Sequence, residues 1–441
     1  MARIFPFKGT HYNTDKVGDL TKVTTLPYDR VTPELQQKYY NSSEFNIVRI
    51  IKGREYPDDN DTNNVYTRAG ATLRQWLADR VLVEDEKPAI YVYHQRFTAP
   101  DGKEYVRKGM TVLVELEDYS SGKVKPHERT LSAPKEDRLK LLLHTDTHFG
   151  QIFQLYPDDN NIVMGILDSA TRRPPDLQAY NEEEQVTHMM WAVTDSYIIS
   201  SVQREMESRL LYIADGHHRY ETAINYRNLR LQEYAGGASA QNPRNAMMTL
   251  VGMSDAGLVV LPTHRVIHGL PGFELEPFLE RLKEFFEVEE RSSKEELLHS
   301  LERAAPDPKQ HAYGLYHGGK FWFLRLKNAG IMDRLAPGRS NTWRKLDVAI
   351  LHELVLEHIL GITKEAQAAK TNLYYERLAD RAIGRVDREE AQLALFMNPT
   401  KLSGIREVAG GGEVMPQKST DFYPKLLTGM VCAQVDLGPK K

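Results

Sequence analysis

Apolar residues along this chain recur at two spacings, and the changes between them outline its elements. Short apolar and β-branched runs at 89–94, 111–116, 246–251, 257–261 and 393–397 predict strands. Residues 45–51 and 162–167 carry the same kind of run and read as strands too. Helical spacing is set by Leu73, Trp76, Leu77 and Val81 over 69–83, and helices are also predicted over 135–143, 275–286 and 294–304. The strongest amphipathic pattern covers 342–360, with Leu346, Ile350, Leu354 and Leu360 among its apolar positions, and predicts one long helix. Asp101-Gly102 and Gly318-Gly319 are placed to turn hairpins. The mixture predicts an α/β (α+β) fold with no internal repeat. Pro271-Gly272 is the best boundary, dividing residues 1–270 from a second α/β unit at 271–441.

One stretch stands apart from this regular patterning. Residues 210–214 read as a short buried strand that runs into Asp215-Gly216 and then into a helix-compatible run over 219–230. A strand that ends in a turn at a helix start makes an anion site, because the first backbone N–H groups of the helix have no partner within it. His217, His218 and Arg219 crowd that first turn, where the helix dipole disfavours cations unless an anion joins them. Asp215 adds a carboxylate suited to a metal, a hydroxyl or a cap. An Asp-Gly pair alone is an ordinary turn, but a structural turn has no need of all four polar groups.

Composition narrows the partners. Fifty-seven Lys plus Arg against 61 Asp plus Glu give a net charge of −4, so no global field draws the chain to nucleic acid or membrane. No apolar run is long enough to cross a bilayer, and the N-terminal residues lack the apolar core of a signal peptide. The single cysteine, Cys432, excludes an intramolecular disulfide framework and a cysteine-rich zinc site. These features predict a cytoplasmic α/β globular protein.

Two further polar clusters are dense enough to carry chemistry. His127-Glu128-Arg129-Thr130 follows Pro126 in a bend, and Lys418-Ser419-Thr420 precedes an apolar segment, where a helix cap is the plainer explanation. Thr263-His264-Arg265 is weaker and reads as structural. Adjacent histidines on a helix point about 100° apart, so His217 and His218 suit one mononuclear metal site poorly. His264 and His268 have i, i+4 spacing but fall in a strand-to-turn segment. The acidic run at 57–64 lacks the glycine and terminal glutamate of a calcium loop and reads as solvated.

Taken together, Lys-Pro-His-Glu (125–128), Ala-Asp-Gly-His-His-Arg-Tyr (214–220) and Met-Pro-Gln-Lys-Ser-Thr-Asp-Phe-Tyr-Pro-Lys (415–425) carry a resemblance. The chain resembles a bacterial family known as domain of unknown function 1015, over nearly its whole length from Pro27-Tyr28-Asp29 to Gly429. That family in turn resembles the ParB and sulfiredoxin superfamily. Within it, the free-serine kinases have Lys-Pro-His-Glu, Asp-Gly-His-His-Arg and Pro-Lys-Thr-Thr in the same order. Here Gln417 is inserted between Pro416 and Lys418, and Asp421-Phe422 stand where those kinases carry a histidine.

The resemblance implies a ParB/sulfiredoxin-like nucleotide-binding core with an N-terminal extension, a long insertion between Glu128 and Asp215, and a C-terminal α/β unit that completes the substrate site. It implies phosphoryl transfer from ATP or ADP, with magnesium, to the hydroxyl of free L-serine. Glu128 and Asp215 inherit the roles of catalytic carboxylates, Asp215 also as a magnesium ligand. Gly216, His217, His218 and Arg219 would hold the nucleotide phosphates. His127, Thr130, Lys418, Ser419 and Thr420 would contact the amino acid or the transferred phosphoryl group. Two other functions remain open: a ParB-like nucleotide-binding regulator without turnover, and a metal-dependent phosphohydrolase using the histidines. Balanced charge counts against DNA binding by the first.

Overall fold

The hairpin expected around Asp101-Gly102 forms the middle of a large sheet. Ile90–Thr98 and Glu104–Glu115 pair antiparallel, with Tyr91 opposite Thr111. Gly102, at φ +77°, supplies the left-handed turn conformation between them. The computed structural model describes residues 2–127 and 132–441. These fall into two compact units. The first takes the chain to Pro126, resumes with the helix Ser132–Thr145, runs to Val259 and regains Phe422–Lys441; the second comprises His127 and Val260–Asp421.

In the first unit the described strands form a nine-stranded mixed sheet. Across it lie Val124–Lys125, Leu211–Asp215, Ile152–Tyr156, Asn245–Gly252, Glu104–Glu115, Ile90–Thr98, Val186–Val193 and Leu177–Asn181, with Ile4–Phe5 also paired to Glu104–Glu115. Leu211–Asp215 runs parallel to Val124–Lys125 and antiparallel to Ile152–Tyr156. Alternate residues such as Val92, Val112, Ile152, Ile213 and Leu250 pack one face into a continuous apolar core.

Two short runs expected as strands are helical. At 162–167 the chain forms the helix Ile162–Leu167, because the Asp158 carboxylate accepts from the N–H groups of Ile162 and Val163 at 3.1 and 3.0 Å. At 45–51 it forms Val48–Ile51, started by Asn46 Oδ1 accepting from the Val48 N–H at 2.9 Å. An apolar run this short has no period of its own, and the cap decides.

The second unit is built on a six-stranded antiparallel sheet in the order Phe286–Arg291, Lys320–Leu326, Ala312–His317, Leu393–Met397, His264–Ile267 and Leu373–Glu376. Gly318 and Gly319 both take positive φ, the backbone a two-residue hairpin turn demands. The long helix expected over 342–360 is interrupted. Asn341–Arg344 ends, Leu346 is extended, and helix resumes at Asp347–Ile350. It then continues through Leu351–Ile359 in wide turns, the Leu360 N–H reaching the Val355 carbonyl at 2.9 Å. Asp347 explains the restart: its carboxylate takes His311 Nδ1 at 2.6 Å and its carbonyl takes the Tyr313 hydroxyl at 2.8 Å. These tertiary bonds override the local period. No helix among the described residues is long and apolar enough to cross a membrane.

Candidate functional site

Asp215 ends the strand Leu211–Asp215, and Gly216 alone separates it from the helix His217–Glu233. Gly216 sits at φ +93°, and a Cβ there would lie 2.9 Å from the Arg219 guanidinium, so both backbone and space call for glycine. The N-cap residue, Gly216, has no side chain to cap the helix, and the first turn holds no acidic residue. Asp215 Oδ2 instead lies 3.7 Å from Arg219 Nη2 and 3.4 Å from Lys425 Nζ. Arg219 also donates to the Gln151 carbonyl. His217 is buried and His218 half-buried. One turn therefore gathers Asp215, Gly216, His217, His218 and Arg219, with a carboxylate between two cations at the positive end of a helix.

Lys425 closes the 415–425 motif, but the motif reading gives it no role in the site. Its side chain is only 8% exposed. Buried polar side chains of the sheet hold the segment around it. Arg107 donates to the carbonyls of Tyr423 and Pro424 at 3.2 and 2.6 Å, and Gln95 Nε2 donates to the Lys425 carbonyl at 2.8 Å. Glu184 accepts from the Lys425 N–H at 2.9 Å. Gln95 and Arg107 face each other across the hairpin, Arg107 Nε donating to Gln95 Oε1 at 3.0 Å. Burial pulls the Arg107 pKa down to about 10. Burying such groups costs free energy unless they are hydrogen-bonded, and here they are spent on aiming one lysine. Two polar residues at inward positions of apolar strands were the available signal.

In the second unit His127 is buried, with Nε2 2.8 Å from Thr420 Oγ1 and its carbonyl accepting from the Met415 N–H at 2.8 Å. Lys418 is exposed at φ +55°. Ser419 is buried; its Oγ donates to the Pro416 carbonyl and its own carbonyl accepts from Thr400 Oγ1 at 2.6 Å. Buried Arg265 donates to the Lys418 carbonyl at 3.0 Å and to His352 Nε2 at 3.2 Å, so it holds this loop from behind. His264 packs edge-on to Phe396, and burial lowers its pKa to about 3. The structure thus joins His127 to Thr420 and keeps Ser419 and Lys418 beside them in the chain. Glu128 and Thr130 lie outside the described residues.

Among the described residues no group of three or more His, Cys, Asp and Glu is arranged to hold a metal ion. His264 and His268 are separated by four residues of extended chain, roughly 13 Å at about 3.3 Å per residue. Asp215 is a single carboxylate already facing two cations, which compete with a divalent ion for its oxygens. Magnesium commonly takes one or two carboxylates together with substrate phosphates. Among the described residues Asp215 is the one carboxylate of this turn, so it does not by itself make a resident metal site.

A cavity opens in the first unit, with Arg219 in its wall. Tyr28 and Ile51 line it from the N-terminal region, Arg138 and Leu142 from the helix Ser132–Thr145, and Thr222 from the helix after Gly216. The Arg138 guanidinium lies 4.1 Å over the Tyr28 ring and donates to the Ile51 carbonyl at 2.7 Å.

Residues 4–349 match the model of a family described as a protein of unknown function, DUF1015. No match is found among curated proteins. Among solved structures, a conserved hypothetical protein from Pyrococcus furiosus is similar at 16% identity and a TM-score of 0.36, covering 74% of this chain and 95% of that one. A free serine kinase in complex with AMP is similar at 15% identity and a TM-score of 0.37, covering 74% and 92%. SbnI with a C-terminal truncation, from Staphylococcus aureus, is similar at 12% identity and a TM-score of 0.34, covering 74% and 87%.

Proposed function

The chain belongs to the DUF1015 family of unknown function, and we propose that it is a cytoplasmic kinase that transfers a phosphoryl group from ATP or ADP to the hydroxyl of free L-serine. Its nucleotide-binding region would be a ParB/sulfiredoxin-like core. The observation that supports this best is the Asp215 turn, where a carboxylate, Arg219 and Lys425 meet at the start of a helix. Phosphoryl transfer asks the protein chiefly for alignment and charge placement, and this turn offers both.

In the proposed reaction the serine oxygen forms a bond to the terminal phosphorus while the bond from that phosphorus to the bridging oxygen breaks, leaving ADP from ATP or AMP from ADP. Glu128 accepts the serine hydroxyl proton, because a hydroxyl is a poor nucleophile without a base in hydrogen-bond reach. Gly216 to Arg219 hold the phosphates through backbone N–H groups and side-chain charge. Lys425 balances charge on the transferring group, and Asp215 keeps the two cations in place. His127, Thr130, Lys418, Ser419 and Thr420 contact the amino acid or the transferred group. A magnesium ion on the nucleotide phosphates would supply further charge neutralisation.

The test is to incubate the purified protein with a panel of amino acids, magnesium and either ATP or ADP, and to read products by mass spectrometry. O-phosphoserine, formed by the wild type and lost in Glu128→Gln, is the expected result. No phosphorylated amino acid with any donor overturns the kinase assignment. Nucleotide binding without product would point to a regulatory protein.

A further inference from the structure

The cavity beside Arg219 has walls of two kinds. Ile51, Leu141, Leu142 and Phe149 are apolar, while Arg138 and Arg219 contribute guanidiniums whose side chains are only 11% and 13% exposed. Arg138 is already committed to Tyr28, to the Ile51 carbonyl and to Asp137. Arg219, in the first turn of the helix His217–Glu233, lines the cavity while it faces Asp215 and donates to the Gln151 carbonyl, and Thr222 continues the lining one turn along the same face. His148 is also in the lining; its buried Nε2 has no hydrogen-bond partner among the described residues, and burial keeps the ring neutral with a pKa of about 4. A buried ring nitrogen left without a partner costs free energy that a bound polar group can recover.

We infer that this cavity receives the nucleoside part of a nucleotide whose phosphates extend toward Arg219 and the start of the helix His217–Glu233. The identity of the ligand rests on the kinase assignment above; its location rests on the lining. A flat heteroaromatic base matches apolar walls with a few polar groups at fixed points. An anionic tail matches the Arg219 guanidinium. The acceptor amino acid matches neither: serine brings two charged groups to apolar walls. Tyr28 and Ile51 come from the region before the first motif, so the N-terminal extension would form part of the nucleotide site.

ADP, ATP and AMP are titrated into the full-length protein by calorimetry, and 8-azido-ADP is photocrosslinked and its attachment mapped by peptide mass spectrometry. ADP or ATP is expected to bind the wild type, with crosslinks in peptides carrying Tyr28 or residues 138–152. Tyr28→Ala, which only shortens a half-buried side chain, should raise Kd at least 10-fold, and Leu142→Trp, which fills the cavity, should do the same. If Leu142→Trp fails to fold, the crosslink map and Tyr28→Ala still decide. Binding with crosslinks elsewhere and an unchanged Kd in Tyr28→Ala overturns the cavity assignment and leaves the kinase assignment standing. No binding of any nucleotide to the wild type overturns the kinase assignment itself.

Discussion

Each unit contains a strand that runs into a helix through polar residues, and the two connections use those residues differently. In the first unit Leu211–Asp215 reaches His217–Glu233 through Gly216 alone. In the second, Leu393–Met397 reaches Leu402–Gly410 through Asn398-Pro399-Thr400-Lys401. Neither N-cap residue, Gly216 or Lys401, caps its helix with a side chain. In the longer link the polar groups are consumed by nearby backbone: Asn398 Nδ2 donates to the Leu301 carbonyl at 2.9 Å and Thr400 Oγ1 to the Ser419 carbonyl at 2.6 Å. In the shorter one, charge is set against charge around Asp215. A polar turn that exists for architecture satisfies backbone groups; one that gathers a carboxylate and two cations holds electrostatic capacity that architecture does not require.

Asp215→Asn breaks this contrast most directly, since it keeps the shape and removes the charge that organises Arg219 and Lys425. Turnover of the serine kinase reaction is expected to fall at least ~100-fold, the scale of a lost electrostatic group in an active site. The thermal midpoint should stay close to wild type. Wild-type turnover in Asp215→Asn would place the turn in the same class as the Asn398 link.

Lys425→Met tests whether the second cation shares that role. The methionine keeps most of the stem volume and loses the ammonium. A charge-assisted hydrogen bond is worth about 1.5–3 kcal/mol, so turnover should drop ~10- to 100-fold with the fold intact. Because Arg107, Gln95 and Glu184 hold the segment by its backbone, circular dichroism should not change. Equal turnover in the variant and the wild type would make Lys425 a structural ion pair.

What the chain reveals locally and what it hides follow the same division. The Asp215 turn is legible because its strand, glycine and cations are contiguous. The strand at 393–397 and the Gly318-Gly319 hairpin are legible for the same reason. Lys425 is 210 residues from Asp215, so the 415–425 motif that it closes does not announce the pairing with Asp215. The helices at Ile162–Leu167 and Val48–Ile51 were hidden because one capping side chain outweighs a short apolar run. The break at Leu346 was hidden because His311 and Tyr313, remote in sequence, fix Asp347.

Gly216→Ala has a smaller expected effect and separates strain from charge. Left-handed backbone costs an L-residue about 1–2 kcal/mol, and the new Cβ must also displace the Arg219 guanidinium 2.9 Å away. Urea denaturation should show a loss of that order, and ADP affinity should fall with it, because Arg219 no longer keeps its place. A loss of stability with unchanged ADP affinity would separate the turn's backbone from nucleotide binding.

Thr400→Val is the smallest change and probes the second link by itself. It removes the hydroxyl that donates to the Ser419 carbonyl and keeps the β-branched shape. The net loss should be about 1 kcal/mol in urea denaturation, typical of one intramolecular hydrogen bond. Since Thr400 supports the 418–420 loop through that bond, the KM for serine should rise a few-fold while kcat and ADP affinity stay at wild-type values. A fall in kcat as large as that of Asp215→Asn would mean that the longer link carries charge-dependent chemistry of its own, and the contrast between the two turns would fail.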